Sequence, residues 1–199
     1  AMIFEFFSPG IPIILKNSGC EFIIFDMGHG GLSLEQFKTL AIISKAHNVV
    51  PFIRIPEVNY NYVARALDLG ASGVMVPMVN TADDAIKIVQ SSKYPPQGKR
   101  GAGFGFAHDN YINQSTLSYI EKANNSLINI IQIETKQGLE NVKEIASVDG
   151  VDCLWVGHFD LTNFLGIPGN FSSTIYLDAI NEIAFAANTY NKSLGIMVN

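Results

Sequence analysis

The sequence predicts an α/β fold of repeated strand–helix units, a (β/α)₈ TIM barrel of which about seven units lie in this chain. Three observations carry that reading. Short, nearly all-apolar runs recur along the chain, longer amphipathic stretches separate them, and no Gly-rich phosphate fingerprint of the doubly wound kind follows the first run. A strand that is apolar at every position must be covered on both faces, as parallel strands flanked by helices are, whereas half-exposed antiparallel strands alternate. The length of 199 residues suits one domain. With 48% hydrophobic and only 16% charged residues, the composition excludes a disordered chain.

Strands are expected at Met2 to Phe7, Phe22 to Phe25, Val50 to Ile55, Gly73 to Val79, Ile128 to Ile133, Cys153 to Val156 and Leu194 to Val198. Between them, helical periodicity covers Ile11 to Asn17, Leu34 to His47, Tyr60 to Leu69, Ala82 to Ser92, Leu117 to Asn124, Leu139 to Ala146 and Tyr176 to Tyr190. Ser33 with Gln36, and Thr81 with Asp84, have the spacing of helix N-terminal caps. The segment from Tyr94 to Ser115, rich in proline and glycine, fits neither pattern and reads as a long loop over a barrel mouth. Residues 1–199 are therefore expected to form a single TIM-barrel domain that lacks an N-terminal lead-in and a C-terminal eighth unit.

Charge and cysteine usage narrow the partners. A net charge of −5 removes the electrostatic attraction on which nucleic-acid and anionic-membrane binding rest. Cys20 and Cys153 have no paired spacing, so neither a disulfide framework nor a thiolate metal site is indicated. Every apolar run is broken well short of the roughly 20 residues of a membrane span, and the chain is expected to be soluble and cytoplasmic.

Catalytic groups of a barrel of this kind stand at the C-terminal ends of its strands, so charges that terminate apolar runs are the informative ones. Asp26 and His29 close the second run, Arg54 the third, Gln132 and Glu134 the fifth, and His158, Phe159 and Asp160 the sixth. Strand parity puts Gln132 and Glu134 on one face. Glu134 and Asp160 lie about one repeat apart, so two carboxylates stand on neighbouring strand ends, where they repel unless a cation such as Mg²⁺ or Mn²⁺ lies between them. The plain alternatives are a helix cap for Asp160 and a loop ion pair for Glu134. A carboxylate of Asp26 reaching the His29 imidazole would make a general base. Arg54, one of three arginines, is placed to stabilise an enolate oxygen or, as a structural bridge, to pair with Asp26 or Glu134. His47 and His108 read as surface residues, and Trp155 and Phe159 as packing groups.

Six motifs together resemble the HpcH/HpaI aldolase family: Asp-Met-Gly-His-Gly at 26–30, Pro-Phe-Ile-Arg-Ile-Pro at 51–56, Leu-Asp-Leu-Gly-Ala-Ser-Gly-Val-Met-Val-Pro at 67–77, Tyr-Pro-Pro-Gln-Gly-Lys-Arg-Gly at 94–101, Gln-Ile-Glu-Thr at 132–135 and Gly-His-Phe-Asp-Leu at 157–161. The resemblance implies a class II aldolase of 4-hydroxy-2-oxo acids, of the 2-keto-3-deoxy sugar acid type, working through a pyruvate enolate. It implies a divalent metal, Mg²⁺ or Mn²⁺ with Co²⁺ also admissible, on Glu134 and Asp160. It further implies Arg54 on the keto oxygen, His29 oriented by Asp26 as the base, Gln132 in support, and backbone amides around Phe159 and Asp160 on the pyruvate carboxylate. The partners are a 2-oxo acid and an aldehyde, in a homohexamer.

Two departures stand out. Gly28 replaces a carboxylate that the family usually carries before the histidine, and Gly-His-Phe-Asp replaces its Gly-Pro-x-Asp form. Two other readings compete with the metal-dependent enzyme. One is a paralogue that binds metal and a 2-oxo acid without efficient turnover; the other is a Schiff-base aldolase using Lys136.

Overall fold

A computed structural model of the protein describes residues 1–198. Strands and helices alternate as β1 (Met2–Ile3), α1 (Ile11–Asn17), β2 (Phe22–Asp26), α2 (Leu34–Ala46), β3 (Val50–Arg54), α3 (Tyr60–Asp68), β4 (Gly73–Val76), α4 (Ala82–Ser92), α5 (Thr116–Ser126), β5 (Ile128–Ile133), α6 (Lys136–Glu140), α7 (Val142–Ser147), β6 (Cys153–Val156), α8 (His158–Phe164), α9 (Thr174–Thr189) and β7 (Ser193–Ile196). One 3-10 turn, Ala107–Asp109, interrupts the long loop. Among the described residues there is no eighth strand, and no helix is long and apolar enough to cross a membrane. The chain divides into two compact units, Ala1–Met75 with Gln90–Leu127, and Val76–Val89 with the residues from Ile128 onward.

In the first unit β1, β2, β3 and β4 are parallel neighbours, in register with Ile3 opposite Phe25, Asp26 opposite Arg54 and Arg54 opposite Met75. Both faces of β2 and β3 are buried after their first residue, as all-apolar strands demand. Ser33 and Gln36 form a complete capping box at the start of α2, and Phe37 of that helix meets the Phe25 ring edge-on. The first strand is shorter than its apolar run. A Cβ on Gly30 would lie 2.2 Å from the Phe4 carbonyl, so the chain meets the Gly28–Gly30 turn there, and Phe6 takes a left-handed conformation at φ 61.

The long loop is ordered by its own aromatic cluster. Arg100, only 2% exposed, lies over the Tyr94 ring and pairs with Asp68 of α3 at 2.6 Å. His108, expected at the surface, is instead buried: its imidazole stands edge-on to Tyr119 and near Phe104 and Phe106, while Nδ1 is 3.3 Å from the Asp68 carbonyl. Sequence periodicity could not show this, because the partners come from α3, α5 and the loop itself.

In the second unit β5, β6 and β7 are parallel, with Gln132 opposite Trp155, Ile133 opposite Val156, and Trp155 opposite Gly195. Gly195 is required there, since a Cβ would come within 2.2 Å of the indole. The strand expected to reach Val79 stops at Val76, because Pro77 has no N–H for the ladder and Met78 is left-handed at φ 55. The single helix expected from Leu139 to Ala146 is two, α6 and α7, broken at Asn141. Helix α8 follows β6 directly, where the sequence pattern shows only a strand end and no separate helix.

Burial pushes the His108 pKa below its ordinary value, and the nearby Arg100 charge adds to the effect. The folded state therefore favours neutral imidazole, and its stability should fall as pH drops below about 6.5, where the unfolded chain takes up the proton first. Melting temperatures of wild type and His108→Phe between pH 7.5 and 5.5 test this. The variant should lose less stability across that range than the wild type, and parallel curves would refute it.

Candidate active site

Residues at the ends of β2 and β3 form the first cluster. Their register sets Asp26 beside Arg54, and Arg54 Nε donates to Asp26 Oδ1 at 2.5 Å. Asp26 is fully buried, and its carboxylate also accepts from the backbone N–H groups of Gly28 (3.0 Å), His29 (2.9 Å) and Gly30 (3.3 Å). Burial alone raises its pKa, but the Arg54 bond and the backbone donors outweigh that and hold the group below the usual carboxylate range. Arg54 is also mostly buried and lies 5.5 Å from the Phe4 ring centroid; its Nη2 is buried without a hydrogen-bond partner among the described residues.

This corrects one expectation and supports another. Asp26 does not hold the His29 imidazole, because its oxygens are taken by Arg54 and the turn's backbone. It aims the main chain at His29 instead, and leaves that side chain exposed. The structural bridge considered for Arg54 is present, with Asp26 as the partner. At Gly28, a Cβ would lie 3.3 Å from Asp26 Oδ1 and 3.5 Å from Arg54 Nε, so a side chain there would stand against the ion pair.

The second cluster forms at the ends of β5 and β6. Gln132 and Glu134 share a face as parity requires, and Gln132 Nε2 donates to Glu134 Oε2. Glu134 is 1% exposed, and its Oε1 accepts from the Met78 N–H at 2.8 Å. The residue following β6 must be glycine, because a Cβ on Gly157 would fall 2.2 Å from Glu134 Oε2 and 2.6 Å from Gln132 Nε2. Gly157 is the N-cap of α8, which puts Phe159 and Asp160 in the helix's first turn. Asp160 is thus not the cap that the plain reading made it. Phe159 is 52% exposed, and its ring clusters with those of His158 and Phe171.

The donors of this cluster are oxygens, the type a hard divalent cation takes. Mg²⁺ and Mn²⁺ take oxygen sets in which one or two carboxylates are completed by water and substrate oxygens, and Glu134 and Asp160 are donors of that type. Gln132 Oε1 is buried and has no hydrogen-bond partner among the described residues. The opposite amide orientation would set that oxygen against the Glu134 carboxylate, so the unsatisfied atom is the acceptor, as a cation or a metal-held water requires. These residues fit such an ion. No group of three or more His, Cys, Asp or Glu able to close around a metal occurs among the described residues, so a closed structural-zinc type of site is not built here. The Lys136 side chain is 71% exposed and pairs with Glu140, whereas a Schiff-base lysine needs a desolvated amine, so the structure gives that competing reading no support.

Comparison with known proteins decides the family. The HpcH/HpaI aldolase/citrate lyase model matches residues 7–198. The chain belongs to this family. It is 31% identical, over 95% of its length and 71% of the relative's, to a 4-hydroxy-4-methyl-2-oxoglutarate aldolase of Chaetomium globosum. It is also 31% identical, over 92% of its length and 71% of the relative's, to a 5-keto-4-deoxy-D-glucarate aldolase of Shigella boydii. A crystal structure of an HpcH/HpaI aldolase from Desulfitobacterium hafniense superposes with a TM-score of 0.95 at 28% identity, covering 99% of this chain and 76% of that one. The fold class is accordingly an incomplete TIM-like barrel, with seven parallel strands among the described residues. The protein is an aldolase, a carbon–carbon lyase.

Two of the contributors in the second cluster, Met78 and Gly157, were not singled out by sequence reasoning. Pro77 was the available signal for the first, since a proline at the end of an apolar run ends the ladder and frees the next residue to turn. For Gly157 the backbone is φ −84, ψ 75, so alanine is conformationally allowed and its cost is steric. Gly157→Ala should therefore displace the Glu134 carboxylate, lower activity at least tenfold and cost about 1–3 kcal/mol of stability, the usual range for overpacking. Steady-state aldolase rates and urea unfolding measure the two effects, and wild-type rates in the folded variant would refute the steric argument.

Proposed function

We propose that the protein is a divalent-metal-dependent aldolase that forms and cleaves 4-hydroxy-2-oxo acids through a pyruvate enolate. The observation that carries this reading is the buried Glu134 carboxylate, held on both oxygens by aligned donors and accompanied by the unsatisfied Gln132 Oε1. A buried anion arranged in that way is preorganised for a cation. Glu134 and Asp160 are the residues that would hold it, and the bound ion would supply Lewis-acid polarisation of a keto oxygen.

The remaining roles fall to other residues of the chain. His29, solvent-exposed in its turn, takes a proton from the pyruvate methyl group. The Arg54 guanidinium, fixed through Nε on Asp26, offers its other N–H groups to the oxygen that gains charge as the enolate forms. The main-chain N–H groups at Phe159 and Asp160, in the first turn of α8, bind the pyruvate carboxylate. The enolate carbon then attacks the aldehyde carbon, and the new alkoxide takes up a proton to give the 4-hydroxy-2-oxo acid; cleavage runs the same steps backwards. Gln132 keeps Glu134 in place throughout. The relatives' names favour 2-oxo acids of this class; the family resemblance supports a homohexamer, and the unpaired cysteines favour the cytoplasm.

Enolisation needs no aldehyde, which gives a direct test. With saturating Mg²⁺ or Mn²⁺ in D₂O, the protein should exchange the methyl protons of pyruvate, and chelation should abolish the exchange. Glu134→Gln and Asp160→Asn should abolish it as well, while His29→Ala slows exchange with metal affinity nearly unchanged. No exchange in the folded, metal-saturated wild type would sink the enolate reading in favour of a protein that binds the 2-oxo acid without turnover. Arg54→Lys should lower kcat by about 10²–10³, the range seen on losing one oxyanion donor, because a point charge cannot both hold Asp26 and reach the enolate oxygen.

A further inference from the structure

Beyond the residues assigned so far, we propose that Asn80 is a positioning residue for the Glu134 carboxylate: it latches the Met78 main chain in the conformation that delivers the Met78 N–H to Glu134. The inference deepens the metal-site reading of Glu134 and rests on it for its consequence, though the latch itself is visible without any metal.

Met78 adopts a backbone conformation that a residue with a Cβ avoids. Met78 sits at φ 55, and its side chain is 43% exposed, so burial of the methionine does not explain the conformation. What the conformation achieves is the 2.8 Å bond from Met78 N–H to Glu134 Oε1. Something has to hold it, and the hydrogen bonds around Asn80 do so. Asn80 Nδ2 donates to the Met78 carbonyl at 3.0 Å, bridging back over the turn. Its Oδ1 accepts from Thr135 Oγ1, on the residue directly after Glu134. Thr135 Oγ1 in turn accepts from Gly138 N–H and caps α6. The Asn80 carbonyl accepts from Asn141 Nδ2 at 2.7 Å, at the break between α6 and α7.

Sterics close the same junction, since a Cβ on Gly138 would lie 2.5 Å from the Val79 carbonyl. The segment after β4 is therefore clamped to the segment after β5 by one amide that uses both its donor and its acceptor. That arrangement accounts for a feature of the sequence that the catalytic roles do not absorb: an asparagine three residues beyond Pro77, where a helix cap alone would be served by Thr81 and Asp84. Partners that orient a ligand side chain in this manner typically change metal affinity or activity by about 10–100-fold when removed.

Two measurements on the full chain test the proposal: amide hydrogen exchange at Met78, and Mn²⁺ affinity of the folded protein by EPR titration. Asn80→Asp keeps the size and the acceptor for Thr135 but sets an oxygen against the Met78 carbonyl. Asn80→Ala removes both bonds. In each variant the Met78 amide should exchange at least tenfold faster while the amides within β5 stay protected, and the Mn²⁺ Kd should rise about 10–100-fold. Adding Met78→Gly to Asn80→Ala should recover part of the affinity, because glycine takes the left-handed conformation unaided.

A merely structural role would lower the melting temperature and speed exchange throughout the unit without changing Kd. Unchanged Met78 exchange in folded Asn80→Asp overturns the proposal, and so does a Kd within twofold of wild type. A wild type with no Mn²⁺ affinity counts against the metal reading alone, and the exchange data then decide the latch by themselves.

Discussion

A carboxylate with no access to solvent must find its hydrogen bonds in the protein, and at Asp26 that requirement organises a whole corner of the chain. One oxygen takes Arg54 Nε and the Gly28 N–H, the other the N–H groups of His29 and Gly30. Four donors converge only if β2 and β3 keep their register and the chain after Asp26 doubles back at once, passing so near the Phe4 carbonyl that residue 30 has no room for a Cβ. Leaving such a charge partly unsatisfied would cost several kcal/mol. The geometry of Arg54 and the placement of the His29 main chain follow from that one constraint.

Glu134 meets the same problem with a different set of donors. Its anion is supplied by a side-chain amide from its own strand and by a main-chain N–H from the segment after β4. The missing side chain at Gly157 makes the room. Both solutions use preorganised N–H groups in place of water, which hold each carboxylate in one orientation before any ligand arrives. For an aldolase, this matters because charge develops on substrate oxygens during the reaction, and groups already fixed need no rearrangement to meet it.

Other polar groups that are rare in this chain do structural work. Arg100 is spent on Asp68 and the Tyr94 face, and His108 on the aromatic stack of the long loop. Cys153 is kept inert by burial and by Asp152 beside it, which push its thiol up to about 11. The positions where this chain departs from the usual family motifs lie against the chemistry and leave the strand framework unaltered. Gly28 leaves open the space beside the Asp26–Arg54 pair, and His158 and Phe159 bring a half-buried and an exposed ring next to Asp160.

The sequence by itself determined the parallel β/α order, the seven strands, the Ser33–Gln36 and Thr81–Asp84 caps, and the shared face of Gln132 and Glu134. Each of these depends on local period, parity or capping chemistry, which neighbouring residues encode. The strand-end charges Asp26, Arg54 and Glu134 were legible for the same reason, since a charge that ends an apolar run has few other uses. Tertiary structure alone decided which donors each buried carboxylate received. It gave Asp26 the backbone of its turn and not the His29 imidazole, buried His108 and split the α6–α7 stretch at Asn141. Those outcomes turn on hydrogen bonds and close approaches between segments distant in the chain, such as Met78 with Glu134 and Gly157 with Gln132. A buried polar group takes whichever partner the packed chain brings within 3 Å, and no periodicity in the sequence records that choice.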